Sequence, residues 1–137
     1  MTRLIRELDH TVCEELVNGA EDFDIYYENW LENPKNIALR DGEGNIGFAE
    51  IDNLYPFIYF VHIVSNSKKG RDAQTFAKDM MREMFETYEA EHLIGRIPPH
   101  NKKSRVFALS IGFNRLPFSH TDQANLYSIS RKDFFSK

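Results

Sequence analysis

Cysteine is almost absent: Cys13 is the only one in 137 residues. An internal disulfide is therefore excluded, and a reducing compartment, the cytoplasm, is the simplest expectation. Long hydrophobic runs are missing as well. No stretch approaches the ~20 apolar residues that span a bilayer, so no membrane partner is expected. Charge arrives by Arg3, Arg6 and Glu7, too early for a secretory leader. Basic residues form no stripe interleaved with aromatics, which argues against nucleic acid. His92, His100 and His120 share no ligand spacing with one another or with Cys13, so no metal is expected. Cys13 itself falls on the apolar face of a helical pattern and reads as core rather than nucleophile.

What is present fits one globular domain over residues 1–137. An apolar share of 42% beside 28% charged residues is enough for one core at this length. The net charge of -4 is uneven: residues 1–35 carry -6 and the remainder +2. An acidic first third beside a mildly basic remainder suits a cationic partner on one side and an anionic one on the other; a solvated helical face is the plainer reading.

Leu4, Leu8, Val12 and Leu16, with Ile5 and Cys13 alongside, have helical spacing and predict a helix from Arg3 to about Val17. Asn18-Gly19 would stop it. A second helix is expected from Asp22 or Asp24 to before Asn33-Pro34, burying Ile25, Tyr26 and Trp30. Strands follow at Asn36 to Arg40 and Ile46 to Ile51, joined by the turn Asp41-Gly42-Glu43-Gly44. Phe57 to Val64 is apolar on both faces and belongs in the middle of a covered sheet. Arg71 to about Glu91 is the clearest helix, with Ala73, Phe76, Ala77, Met80, Met84 and Tyr88 as its stripe. A short strand at Leu93 to Ile97, a helix at Lys102 to Ile111 capped by Asn101, and strands at Asn114 to Phe118 and Asn125 to Ser130 complete the chain. The sum is a mixed α/β sheet: two helices, an antiparallel meander, then strand-helix-strand-helix and C-terminal strands.

Two segments carry chemistry. Ser65-Asn66-Ser67-Lys68-Lys69-Gly70-Arg71-Asp72-Ala73 runs from the central strand into a helix. Unpaired amides at a helix start, the macrodipole, Gly70 and the charges of Lys68, Lys69 and Arg71 together suit a pyrophosphate. A basic loop with a capped helix and no ligand is the alternative. The second segment is Asn101-Lys102-Lys103-Ser104-Arg105-Val106-Phe107-Ala108-Leu109-Ser110-Ile111-Gly112-Phe113.

The order strand, phosphate-type loop, helix, strand, Asn-led helix and Gly-Phe resembles the GNAT acetyltransferases. Lys69-Gly70 matches the family's Arg-Gly pair, while Asp72 and Gln74 stand where small residues are usual. Asn101 to Gly112-Phe113 keeps the family's spacing, with Ser104 as the small residue. The resemblance implies a GNAT-like acyl-CoA N-acyltransferase fold with acetyl-CoA as cosubstrate. Residues 68 to 73, Asn101 and Ser104 would hold the coenzyme. It further implies that the central strand and the next splay apart, with a backbone N–H around Ile63 or Val64 polarising the thioester carbonyl. The family's usual tyrosine acid falls on Ala108, so Tyr59 or Tyr127 would have to serve. Many relatives use a glutamate base on the central strand, where this chain offers only His62; an unperturbed imidazole titrates near pH ~6.5, and a hydrogen-bonded core histidine is the other reading. Glu50 is a second candidate base.

Two functions from different classes follow. One is N-acetyl transfer to an amine-bearing small molecule or protein. The other is a catalytically inactive protein working through contacts, similar to phage-encoded GNAT-like proteins, some associated with building the virion. A coenzyme-binding regulator lies between them. An exposed edge strand near the carboxyl terminus could also pair two copies into a homo-oligomer.

Overall fold

The computed structural model describes residues 4–17, 30–42, 44–65, 70–117 and 125–136. Among the described residues seven strands form one sheet: β1 (Ile5–Arg6), β2 (Ile37–Arg40), β3 (Asn45–Ile51), β4 (Ile58–Ser65), β5 (His92–Ile97), β6 (Asn114–Arg115) and β7 (Asn125–Ser130). Their spatial order is β1-β2-β3-β4-β5-β7-β6. The helices are α1 (His10–Val17), α2 (Gly70–Glu86), α3 (Lys102–Ser110) and α4 (Arg131–Phe135), with a 3-10 turn at Trp30–Glu32. No described helix is long and apolar enough to cross a membrane.

The largely apolar strand β4 takes the middle place, as its sequence predicts. It is antiparallel to β3 and parallel to β5. The β2–β3 turn closes on a buried pair: Asn45 donates its backbone N–H to Asp41 Oδ1 (3.1 Å) and its Nδ2 to Asp41 Oδ2 (2.8 Å).

Two cores lie on opposite faces of the sheet. Phe76, Ala77, Met80, Met81, Met84 and Phe85 of α2, with Ala108 and Ile111, pack against Leu39, Ala49, Tyr59, Leu93 and Ile129. Cys13 and Val17 of α1, with Trp30, pack against Ala38, Ile46, Phe48 and Val64 on the other face. Gly47 shows how close α2 comes, because a Cβ there would lie 2.0 Å from Met80 Sδ. Burial pushes the Cys13 thiol up to about 11, the nearby Glu7 and Asp9 charges adding to this and Arg40 opposing.

The amino-terminal helix is shorter than its periodicity predicts. Residues 5–6 are a strand paired to β2, and helix begins only at His10. Asp9 starts it, accepting the Thr11 backbone N–H at Oδ1 (2.9 Å). The apparent apolar stripe is divided: Leu4 joins the α2 core, Cys13 the α1 core, and Leu8 is 68% exposed. The expected stop of the first helix at Asn18-Gly19 and the second predicted helix lie outside the described residues, except that Trp30–Glu32 form the 3-10 turn. Of the strand expected at 114–118, residues 114–115 form β6 and the Leu116 N–H extends the pairing to Leu126 O (2.8 Å), while 118 lies outside the described residues; α4 was not foreseen. Both sheet edges, β1 and β6, are two residues long.

What turns residues 5–7 to the sheet is an ion pair. Arg40 Nε donates to Glu7 Oε1 at 2.7 Å, and Leu8 and Asp9 donate backbone N–H groups to Glu7 Oε2. Burial pushes the Glu7 carboxyl up. The Arg40 hydrogen bond, the Asp9 amide, the Arg40 charge and the Leu8 amide outweigh it and hold the group below its ordinary range. A carboxyl lowered on folding stabilises above its unfolded pKa, near ~4.3, and that stability is lost as pH falls through the folded value. Glu7→Gln should therefore cost about 1–2 kcal/mol at pH 7. The gap between the two thermal midpoints should narrow towards pH 3; an unchanged gap would refute the assignment.

Candidate functional site

Strands β4 and β5 share a ladder at three positions only: Ile58↔His92, Tyr59↔Leu93 and Phe60↔Ile94. Beyond them β4 runs on to Ser65, paired throughout with β3, and β5 runs on to Ile97, paired throughout with β7. Among the described residues no β4–β5 pairing resumes, so the two strands part in the middle of the sheet. A parallel ladder that stops short leaves backbone groups turned into the gap.

Alternation decides which groups those are. Asp52 donates its N–H to Ile58 O at 2.9 Å, and the β3–β4 register is unbroken from there to Ser65. Even-numbered residues of β4 therefore turn their backbone towards β3, and odd-numbered ones towards β5. The Ile63 N–H points into the gap; that of Val64 points at β3. On β5 the odd-numbered residues turn their backbone to β7, as the Arg131 N–H donating to Glu91 O shows, so the Arg96 backbone faces the gap; on the α2 side of the sheet a Cβ at Gly95 would meet nothing within 4 Å. Leu93 and Ile97 share that residue's face and lie in the α2 core. The split thus has open space on the side of α2 and α3, two helices tied by Gln74 Nε2 donating to Ser110 Oγ (3.3 Å).

The other face carries polar groups. Glu50 stands opposite Phe60, and His62 opposite Phe48, so both candidate bases share the α1 side. Trp30 donates its indole N–H to Glu50 Oε1 at 3.2 Å. Trp30 is held in turn: Asn36 Nδ2 donates to Trp30 O (3.0 Å), while Asn36 Oδ1 accepts from Ile51 N (3.1 Å). Arg96 lies over the Phe60 ring, 3.9 Å from its centroid, where the ladder ends. Tyr59 is on the opposite face, buried in the α2 core at the paired end of β4. Burial pushes its phenol up, Arg6 opposing and Tyr88 adding to the effect. The structure brings Glu50 and His62 together and keeps Tyr59 apart from them.

Lys68 and Lys69 lie outside the described residues, as do the side chains of Arg71 and Asp72. Gly70, Arg71 and Asp72 form the first turn of α2, whose opening amides have no partner within the helix. Ala73 is buried against the core. Asn101 caps α3 as predicted, its Oδ1 accepting the Ser104 N–H at 3.1 Å. The far end of α3 explains the Gly-Phe pair. Gly112 has φ 105°, its N–H donates to Leu109 O (3.2 Å), and the Phe113 N–H reaches Ala108 O (3.0 Å). That is a Schellman stop, with Phe113 and Ala108 buried in the same core. Among the described residues no three His, Cys, Asp or Glu side chains gather as a metal site.

Sequence reasoning missed Trp30, Asn36, Gly95 and Arg96. An isolated glycine followed by the single charge inside Leu93-Ile94-Gly95-Arg96-Ile97 was the available signal for the last two.

No protein-family model matches the chain, and no curated protein matches it. Solved structures do. A spermidine N-acetyltransferase (the SpeG F149A mutant) from Vibrio cholerae superposes with a TM-score of 0.74 at 11% identity, over 98% of both chains. AAC(6')-Ib, in complex with parmomycin and acetyl-CoA, gives 0.70 at 15% identity, over 98% of this chain and 94% of the other. An acetyltransferase from Agrobacterium tumefaciens gives 0.61 at 18% identity, over 96% and 93%. At such identities the likeness is one of fold. The chain has the GNAT acyl-CoA N-acyltransferase fold.

Proposed function

We infer that this protein transfers an acetyl group from acetyl-CoA to an amine on a small molecule or a protein. One observation carries the reading: the parting of β4 from β5 beyond Phe60 and Ile94, with open space at Gly95. A slot through the middle of a sheet forfeits ladder hydrogen bonds, and a thin, polar, amide-bearing ligand arm is the chemistry that compensates for them. The solved AAC(6')-Ib complex, whose fold this chain shares, holds acetyl-CoA. The opening turn of α2, Gly70-Arg71-Asp72, offers amides for the coenzyme's pyrophosphate, and the charges of Lys68, Lys69 and Arg71 would add attraction.

The coenzyme supplies the acetyl thioester; the acceptor nitrogen bonds to its carbonyl carbon as the carbon–sulfur bond breaks, giving an amide and a thiol. The Ile63 N–H, turned into the split, donates to the carbonyl oxygen as charge develops there. His62 and Glu50, on the acceptor face, are the groups placed to take the amine's proton. With Ala108 buried at the family's usual tyrosine position, the departing sulfur takes its proton from another source.

The test uses Gly95. Acetyl-CoA at 100 times its dissociation constant should stabilise the wild-type protein by about 2.7 kcal/mol. A Cβ at Gly95 meets nothing within 4 Å, so Gly95→Val should fold with a nearly unchanged midpoint while filling the slot and abolishing that shift. A coenzyme shift that survives Gly95→Val would place the ligand elsewhere; no shift in the wild type would end the reading.

A second reading has its own observation. Leu54, Tyr55 and Phe57, between β3 and β4, are 81%, 60% and 51% exposed, the kind of apolar cluster a protein partner covers. A GNAT-like protein acting through contacts, of the phage-encoded kind, would bear that patch and release no thiol from acetyl-CoA with any amine.

A further inference from the structure

Arg96 is the unexplained charge at the split. It is exposed, and its guanidinium carbon lies over the Phe60 ring, 3.9 Å from the centroid. Among the described residues it has no carboxylate partner and donates no hydrogen bond. Stacking occupies the face of a guanidinium and leaves the in-plane fork of N–H donors pointing outwards, the geometry that receives a carboxylate.

Its surroundings say what should accompany that carboxylate. Phe60 has Glu50 opposite it on β3 and Ile94 opposite it on β5, with Arg96 two residues further along β5 on the same face. Glu50 keeps Oε1 on the Trp30 indole, and among the described residues its Oε2 accepts nothing. A carboxylate and a guanidinium therefore stand on either side of one aromatic ring, Glu50 in register with it and Arg96 two residues beyond Ile94. Their backbones lie further apart than the about 9.5 Å of two strand spacings, and the long side chains lean in to close the distance. A molecule bridging them must present a cation at one end and an anion a few bonds away at the other.

Resting on the transfer reading, we propose that the acceptor is a small amino-acid-type zwitterion, its ammonium end received by Glu50 and its carboxylate by the Arg96 fork. Phe60 packs against the short spacer between the two charges. Arg96 fixes acceptor choice, and Glu50 holds the nitrogen that must lose a proton beside the split.

The experiment measures thiol release from acetyl-CoA with a panel of α-, β- and γ-amino acids, each beside its carboxamide. For at least one amino acid the wild type should show kcat/KM roughly 10-fold or more above the carboxamide, the scale of a charge-assisted bidentate contact. Arg96→Gln should bring that ratio to about 1, and Arg96→Lys, which keeps charge but not the fork, should restore part of it. The coenzyme-induced midpoint shift should persist in both variants. A wild-type ratio near 1, a preference that survives Arg96→Gln, or turnover of simple alkylamines with no amino acid acetylated would overturn the zwitterion assignment and leave the coenzyme site standing. Loss of the coenzyme shift in the wild type would overturn the transfer reading and this proposal together.

Discussion

Phe85→Ala should remove about 3–5 kcal/mol of stability, the range for deleting a fully buried aromatic side chain. Phe85 has no exposed surface and joins three elements. From α2 it packs under the sheet, and its ring meets Phe134 at 5.3 Å and Phe135 at 6.1 Å. Arg131 Nη1 donates to the Phe85 carbonyl, and the Arg131 N–H donates to Glu91 O (2.9 Å). Truncation would leave a void on α2 and unseat α4, a helix of five residues that cannot persist without its docking surface. Domains of this size hold about 5–15 kcal/mol in total, so the urea midpoint should fall steeply. Phe85→Leu, which keeps most of the volume, should cost less than half as much. A loss below about 1 kcal/mol for the alanine variant would mean that the site collapses freely.

Asn36→Ala is expected to cost about 2–4 kcal/mol, through polar atoms rather than volume. Asn36 is buried and bridges the Trp30 carbonyl to the Ile51 amide, with Arg6 Nη2 donating to its own carbonyl at 3.4 Å. Removing the side chain strands a donor and an acceptor where water reaches poorly. The consequence travels to the site, because Trp30 positions Glu50. Trp30 is the only tryptophan, 8% exposed and edge-on to Phe48 at 5.7 Å, so its fluorescence reports on that corner alone. Emission should move to longer wavelength in Asn36→Ala at denaturant concentrations where the protein remains folded. An unmoved spectrum would show that Trp30 holds its place without Asn36.

Much of the sheet was legible because its signals are local. Ile58-Tyr59-Phe60-Val61 is apolar at every position, which suits only a strand covered on both faces, and it takes the fourth place of seven. Asp41 and Gly44 read as a turn because short polar side chains and positive φ are properties of a few adjacent residues. Asn101 and Gly112 bound α3 for the same reason. The amino terminus was misread because Leu4, Leu8, Val12 and Leu16 satisfy a helical period that the tertiary structure does not use. Glu7 meeting Arg40, 33 residues away, makes β1 an edge strand instead.

The candidate site was legible only in part. His62 and Glu50 could be singled out as ionisable groups in or beside apolar strands, but that they share one face, and Tyr59 the other, follows from a register spanning two strands. Arg96 carried no mark of function until it was found over Phe60.

By itself the sequence determined the strand-helix-strand order, the central strand and both ends of α3, since propensity, capping and turn chemistry act within a few residues. The tertiary structure alone decided where β4 leaves β5, which amide faces that gap and which charges stand beside it. Those are matters of register between segments about 35 residues apart, where a shift of one position turns every side chain to the other face and no local preference records the choice.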